Sequence, residues 1–227
     1  MMKEGLQNVW SVLRSRHCLQ CGCWMLGPAP IGLVCAVCQT TWPDLRTEMG
    51  SALMRERCGV THAWTGFRLR GNDFLERQIK SLKYEGRPFK GIRLGRWLAA
   101  GFPNEMRPDP KEFVLVPIPL HWRRKWSRGY NQSYFIAKGV SMVWGVPVAP
   151  RLLKRRYHSK SLTRMNRQQR QNALDSGFCI RTRATLTDQK IILVDDVLTS
   201  GATLRAGMKE IQSAGMEVAG MLTLALA

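Results

Sequence analysis

Residues Ile191–Thr203 narrow the choice of fold more than any other part of the chain. Ile191-Ile192-Leu193-Val194 is an apolar, largely β-branched run of the length expected for a buried strand. Asp195-Asp196 come next, and Val197-Leu198-Thr199-Ser200-Gly201-Ala202-Thr203 then opens a helical pattern. That helix is predicted over Thr203–Ala214, with Leu204, Met208 and Ile211 inward and Gly215 as its stop. Phe113–Val116, ending at Pro117, and Val218–Leu226 read as further strands. Ser133 is placed to cap a helix carrying Phe135, Ile136, Val140 and Val143 on its buried side. Upstream, Ala63–Leu69 reads as extended. Leu75, Ile79 and Leu82 share one helical face behind Asn72-Asp73, and Ile92–Leu98 continues into a second helix. Strands alternating with helices predict an α/β domain with a parallel sheet flanked by helices.

The turn after the acidic pair carries its own chemistry. Successive backbone N–H groups, hydroxyls and the positive end of a helix suit a phosphate. Gly201 lets the backbone approach without a Cβ in the way. Two carboxylates suit sugar hydroxyls instead, so one short segment can grip both ends of a ribose 5-phosphate. Rival phosphate sites lack their motifs: neither Gly-x-x-x-x-Gly-Lys-Ser/Thr nor Gly-x-Gly-x-x-Gly occurs in the sequence.

Charge adds a second constraint. Thirty-five Lys and Arg against sixteen Asp and Glu leave a formal net charge of +19. Such a field favours nucleic acid, an anionic membrane surface or phosphorylated small molecules. Between Phe113 and Leu174 there is no Asp or Glu, while thirteen Lys and Arg lie there. Arg164, Arg167 and Arg170 recur every third residue, and Trp122, Trp126, Tyr130 and Tyr134 every fourth. Aromatic rings among cations suit a single-stranded nucleic-acid groove. The alternatives are a solvated basic face and aromatics packed into the core. No stretch reads as a signal peptide or bilayer span, so a cytoplasmic location without membrane insertion is expected.

Seven cysteines are an odd number for a disulfide framework. Cys18-Leu19-Gln20-Cys21 and Cys35-Ala36-Val37-Cys38 are two Cys-x-x-Cys knuckles with thirteen residues between them. Four thiolates from two such turns close a tetrahedral site with no open position, which predicts structural Zn²⁺ on Cys18, Cys21, Cys35 and Cys38. Cys23 and His17 are assigned a spare role, and Cys58 and Cys179 read as isolated thiols. A cysteine-rich zinc-ribbon module over residues 1–60 and an α/β domain over 61–227 follow from this composition.

Ile191–Thr203 resembles the phosphoribosyl-pyrophosphate (PRPP) signature of type I phosphoribosyltransferases, with Ser200 where many members have Thr. Val116-Pro117-Ile118-Pro119 followed by His121–Ser133, together with Ile79–Gly86 and the cysteine module, resembles the ComF family, which includes GntX-type proteins. The first resemblance implies that Asp195 and Asp196 engage the ribose as the catalytic pair. It also implies that Thr199, Ser200, Gly201, Ala202 and Thr203 bind the 5-phosphate, and that Mg²⁺ arrives with PRPP. The loop after Val116 is then expected to hold pyrophosphate through Arg123, Arg124, Lys125 and Arg128. Asn131 and Gln132 serve either as further ligands or as turn and cap residues.

Arg155, Arg156, Arg164, Arg167 and Arg170 are the candidate nucleic-acid contacts. Tyr157–Asn172 is the candidate for a mobile flap, in which Arg170 aligns with an arginine recurring in the family. ComF resemblance implies a competence protein handling incoming single-stranded DNA in natural transformation, with a helicase or recombination-mediator partner. The alternative is an active phosphoribosyltransferase that passes ribose 5-phosphate from PRPP to a nucleobase or amine.

Overall fold

A computed structural model describes residues 18, 20–25, 34–40, 48–69, 73–156, 177–181 and 189–227. The ordered elements are α1 (Ala36–Gln39), α2 (Glu48–Cys58), β1 (His62–Arg68), α3 (Asp73–Tyr84), α4 (Phe89–Ala100) and β2 (Phe113–Pro117). They continue with α5 (Trp122–Arg128), α6 (Gln132–Trp144), β3 (Leu153–Arg155), β4 (Phe178–Ile180), β5 (Lys190–Leu198), α7 (Ala202–Ser213) and β6 (Val218–Leu226). Strands β1, β6, β5 and β2 form a parallel sheet in that order, and β3 pairs antiparallel with β4 as a separate hairpin.

Every residue of β2 and β6 is buried, as a sheet covered on both faces requires. Side chains alternate across it. Ile192 and Val194 of β5 enter one core with Leu75, Ile79 and Leu82 of α3, Leu94 and Leu98 of α4, and Ile136 and Val140 of α6. Ile191 and Leu193 enter the other, with Met54 and Cys58 of α2, Leu204 and Ile211 of α7, Leu153 of β3 and Phe178 of β4. The periodicities predicted for α3, α4, β1, β2, α7 and β6 are therefore present. Of the residues expected on the buried side of α6, Phe135 and Val143 are only partly buried, and Ala137, Gly139 and Trp144 share the contact.

Two local readings change. Asn131, not Ser133, caps α6: its Oδ1 accepts from Ser133 N–H at 3.2 Å, and its Nδ2 donates to Ile118 O at 3.0 Å. Ser133 stands two positions too late and is freed for another partner. Strand β5 also runs through the acidic pair to Leu198, because Asp195 and Val197 stay in register with Thr223 and Ala225. Helices α4 and α6 meet at backbone distance. A Cβ on Gly95 would lie 2.2 Å from Ile136 O, and one on Gly139 2.2 Å from Ile92 O. Helix α2, which no periodicity announced, lies against β1, and Met54 accepts a hydrogen bond from buried Thr223. Among the described residues, no helix is long and apolar enough to cross a membrane.

Candidate functional site

Beyond the C-terminal ends of β2 and β5 lies a cavity of about 540 Å³, walled by the acidic pair of β5 and by the segment that follows β2. Asp195, Asp196, Lys83, Arg124, Arg128, Gln132 and Arg155 are in its wall. Open α/β sheets place ligands at this edge, beyond the strand C-termini.

Asp196 is only 6% exposed, yet it is fully partnered. Lys83 Nζ lies 3.0 Å from its Oδ2, Gln132 Nε2 donates to the same oxygen at 3.1 Å, and Val197 N–H donates to Oδ1 at 2.7 Å. A buried carboxylate needs such a cation and such donors. Asp195 is supported differently: Ser133 Oγ–H donates to its Oδ1 at 3.0 Å, as does Asp196 N–H at 2.8 Å. Burial and the neighbouring Asp196 charge push the Asp195 carboxyl up to about 7, against the pull of those donors and of Lys83. Asp195 therefore holds a proton in the folded chain that the unfolded chain has already released, over the interval from its ordinary value of 3.8 to about 7. Stability must fall as pH rises through that interval. Asp195→Asn is expected to flatten this slope, so that its melting temperature gains on the parent at pH 8 but not at pH 4. Parallel melting curves across that range would show that Asp195 carries no such proton.

The turn after β5 closes a smaller cavity of about 40 Å³, lined by Asp195 and by Val197 to Leu204. Gly201, at φ +74°, is the N-terminal flanking residue of α7 and makes the left-handed step that an L side chain resists. No acidic residue occupies the first turn of α7, so the positive end of the helix is uncompensated. Ala202 N–H is directed to Ser200 Oγ at 3.4 Å. Among the described residues, no hydrogen bond engages the amides of Thr199, Ser200, Gly201 or Thr203. The carbonyls, by contrast, are held. Arg57 Nη1 donates to Thr199 O at 3.3 Å, and Arg205 Nη1 donates to Ser200 O at 2.8 Å and to Arg57 O at 2.7 Å. Tying back the carbonyls turns the intervening N–H groups outward, the arrangement an anion needs.

The cations divide. Arg124 and Arg128 line the larger cavity, as does His121. Arg123 and Lys125 lie on the same helix α5, but their side chains fall outside the described residues. Arg155 also lines the cavity; its Nε donates to Pro119 O at 3.3 Å and its guanidinium lies 4.1 Å from the centre of the Phe178 ring. Arg156 is occupied within the chain, by Phe178 O at 2.6 Å and Glu210 Oε1 at 3.2 Å. Arg164, Arg167, Arg170 and the rest of the candidate flap lie outside the described residues. The β3–β4 pair sets Arg155 and Phe178, which flank that segment in the sequence, in register. Of the aromatic series, Trp126 is 90% exposed, whereas Tyr130 donates its hydroxyl to Leu82 O and packs edge-on against Phe135.

Lys83, Ser133, Arg57 and Arg205 are site residues that sequence reasoning did not assign. Lys83 lay within Ile79–Gly86, a segment noted only for its resemblance. Arg57 acts from a helix with no sequence signal, and nothing in its neighbours foretells that contact.

At the other end of the chain, Cys18, Cys21, Cys23 and Cys35 bring their sulfurs within 4.8 Å of one another. Four zinc-bound thiolates, each about 2.3 Å from the ion, stand about 3.8 Å apart, and Cys21 Sγ lies 3.9 Å from Cys35 Sγ. The donor set suits a thiophilic ion such as zinc. Cys23, assigned a spare role from the sequence, joins because the turn closes on itself. Gly22, at φ +75°, lets Cys18 N–H reach Cys23 O at 2.8 Å. Cys38 stands beside this group, its N–H directed to Cys35 Sγ at 3.5 Å. Burial raises the Cys18 thiol, but N–H groups of Cys21, Cys35 and Gln20 outweigh it and bring Cys18 down to about 6. A thiolate-forming nest of this kind favours a cation.

Residues 129–227 match the phosphoribosyl transferase domain. Competence protein F of Haemophilus influenzae is 29% identical over 105 residues, 46% of this chain and 46% of that protein. Competence protein ComFC of Streptococcus pneumoniae is 29% identical over 182 residues, covering 80% of this chain and 75% of the other. The ComFC protein of Bacillus subtilis is 26% identical over 177 residues, 78% of this chain and 65% of its own length. The match to the Haemophilus protein thus spans about half of that relative.

Proposed function

From a chain that carries a phosphoribosyl transferase domain and is related to competence proteins of the ComF and ComFC kind, we propose a ComF-like competence protein that handles incoming single-stranded DNA and binds PRPP in its central cavity. The observation carrying the ligand assignment is that the small cavity of the amide turn shares Asp195, Val197 and Thr203 with the cation-walled cavity that holds Asp195 and Asp196. The 5-phosphate sits on the amides of Thr199–Thr203, at the N-terminus of α7. Asp195 accepts from a ribose hydroxyl, and Asp196, fixed by Lys83 and Gln132, sets the strand end against which the sugar rests. Pyrophosphate meets Arg124 and Arg128, with Arg123 and Lys125 on the same helix.

Mg²⁺ fits as a passenger of the ligand, since Lys83 already neutralises Asp196 and leaves no vacant pair of carboxylates for a second cation. When bound, it would offset charge on the pyrophosphate oxygens. The DNA assignment is supported by the run of basic residues without acidic ones from Phe113 to Leu174, and the competence role by the relatives' names. A catalytic reading is favoured by the size of the cavity, which has room for an acceptor beside the sugar.

The test has two arms on the full chain. Calorimetry with PRPP and Mg²⁺ should show saturable binding that the double variant Asp195→Asn/Asp196→Asn loses; the absence of binding by the parent refutes the pocket assignment. Labelled single strands should bind with affinity that falls steeply with salt, and removing Arg164, Arg167 and Arg170 should flatten the slope. Binding no tighter than that of an unrelated basic protein refutes the DNA role. Pyrophosphate release with added nucleobases or amines separates turnover from binding alone.

A further inference from the structure

Two arginines hold the turn after β5 from outside the ligand space. Arg57 is the second-to-last residue of α2, and Arg205 is the fourth residue of α7. Neither is in the wall of the large cavity or of the small one. Their contacts are reciprocal. Arg205 Nη1 donates to Ser200 O at 2.8 Å and to Arg57 O at 2.7 Å, while Arg57 Nη1 donates to Thr199 O at 3.3 Å and to Ala227 O at 3.4 Å. Arg57 O belongs to the last turn of α2, where carbonyls lack a partner within the helix. Arg205 thus caps α2, and the side chain of Arg57 secures the turn that opens α7.

For α7 alone this placement is unfavourable, because a cation stands near the positive end of the helix and no acid occupies its first turn. An anion on the turn offsets both. The glycine after the clamped carbonyls belongs to the same fit: a Cβ on Gly201 would lie 2.8 Å from Arg205 Nη1 and 3.2 Å from Cys58 Sγ.

We propose that Arg57 and Arg205 are positioning residues for the 5-phosphate, so that the turn takes its binding shape only with α2 docked behind it. Helix α2 lies outside residues 129–227, which match the phosphoribosyl transferase domain. The phosphate site is therefore completed by a helix from the N-terminal side of the chain. The role of the clamp rests on the phosphoribosyl reading of the cavity and adds to it the residues that shape the turn. Pyrophosphate, met by Arg124 and Arg128 of α5, does not depend on the clamp.

The test titrates the full chain with ribose 5-phosphate and, separately, with pyrophosphate and Mg²⁺ by calorimetry. Arg205→Ala should weaken ribose 5-phosphate by about tenfold or more, the scale of one charge-assisted hydrogen bond, and leave pyrophosphate unchanged. Arg57→Ala, which removes longer contacts, should produce the same selective loss to a smaller extent. Both side chains are exposed, so neither substitution opens the core. The losses should persist at high salt, where a through-space charge effect is screened. Equal losses of the two ligands, an unchanged ribose 5-phosphate affinity, or a loss that vanishes at high salt overturns the clamp while the cavity assignment stands. Failure of the parent to bind either ligand overturns the cavity assignment and the clamp with it.

Discussion

Gly139→Ala is expected to lower the melting temperature by about 6–12 °C, equivalent to about 3 kcal/mol at 2–4 °C per kcal/mol for a chain of this size. The sign is what makes the result informative. In an ordinary helix interior, replacing glycine by alanine stabilises by about 0.5–1 kcal/mol. Here the added methyl would meet Ile92 O at 2.2 Å and Arg96 N at 2.9 Å, both backbone atoms of α4 that cannot rotate away. The helices must separate, and voids open around Ile136 and Val140. Because α6 begins with Gln132 and Ser133, which hold Asp196 and Asp195, the separation should also weaken PRPP binding. Differential scanning fluorimetry and ligand titration read the two effects. A variant as stable as its parent would mean that α4 and α6 do not approach this closely.

Metal removal should have the second large effect. The purified chain is expected to carry about one zinc, and a strong chelator should expose residues before Glu48 to protease while the sheet keeps its cooperative transition. A module this small has little apolar core, and structural zinc supplies about 10–16 kcal/mol in comparable peptides. Cys18→Ser, Cys21→Ser and Cys35→Ser should each abolish metal content. Comparing Cys23→Ser with Cys38→Ser identifies the fourth ligand. A chain that purifies without metal, or whose protease pattern ignores the chelator, would remove zinc from the account.

Local pattern announced most of the fold. Ile191–Val194 and Val218–Leu226 declare themselves as strands because a sheet covered on both faces needs apolar runs, whereas the continuation of β5 through Asp195 and Asp196 to Leu198 shows only in its register with β6. Helix α3 declares itself because Leu75, Ile79 and Leu82 keep one face. Helix α2 was illegible, since its sequence Glu-Met-Gly-Ser-Ala-Leu-Met-Arg-Glu-Arg-Cys has only a weak apolar face and its burial depends on β1 arriving beside it. The same divide runs through the site. Asp195, Asp196 and the Thr/Ser/Gly turn are contiguous and readable. Lys83 and Ser133 are separated from them by more than sixty residues, so only tertiary contact reveals their roles. Arg155 entered as a charge in a basic run, and only the β3–β4 hairpin directs it toward Pro119.

The strand order has a consequence for biosynthesis. Because β6 lies between β1 and β5, a ribosome must deliver residues near 226 before the edge strand emerging at residue 62 finds a neighbour. For most of translation the nascent chain carries Trp64 and Phe67 without their final shelter, a state in which chaperone engagement or aggregation competes with assembly.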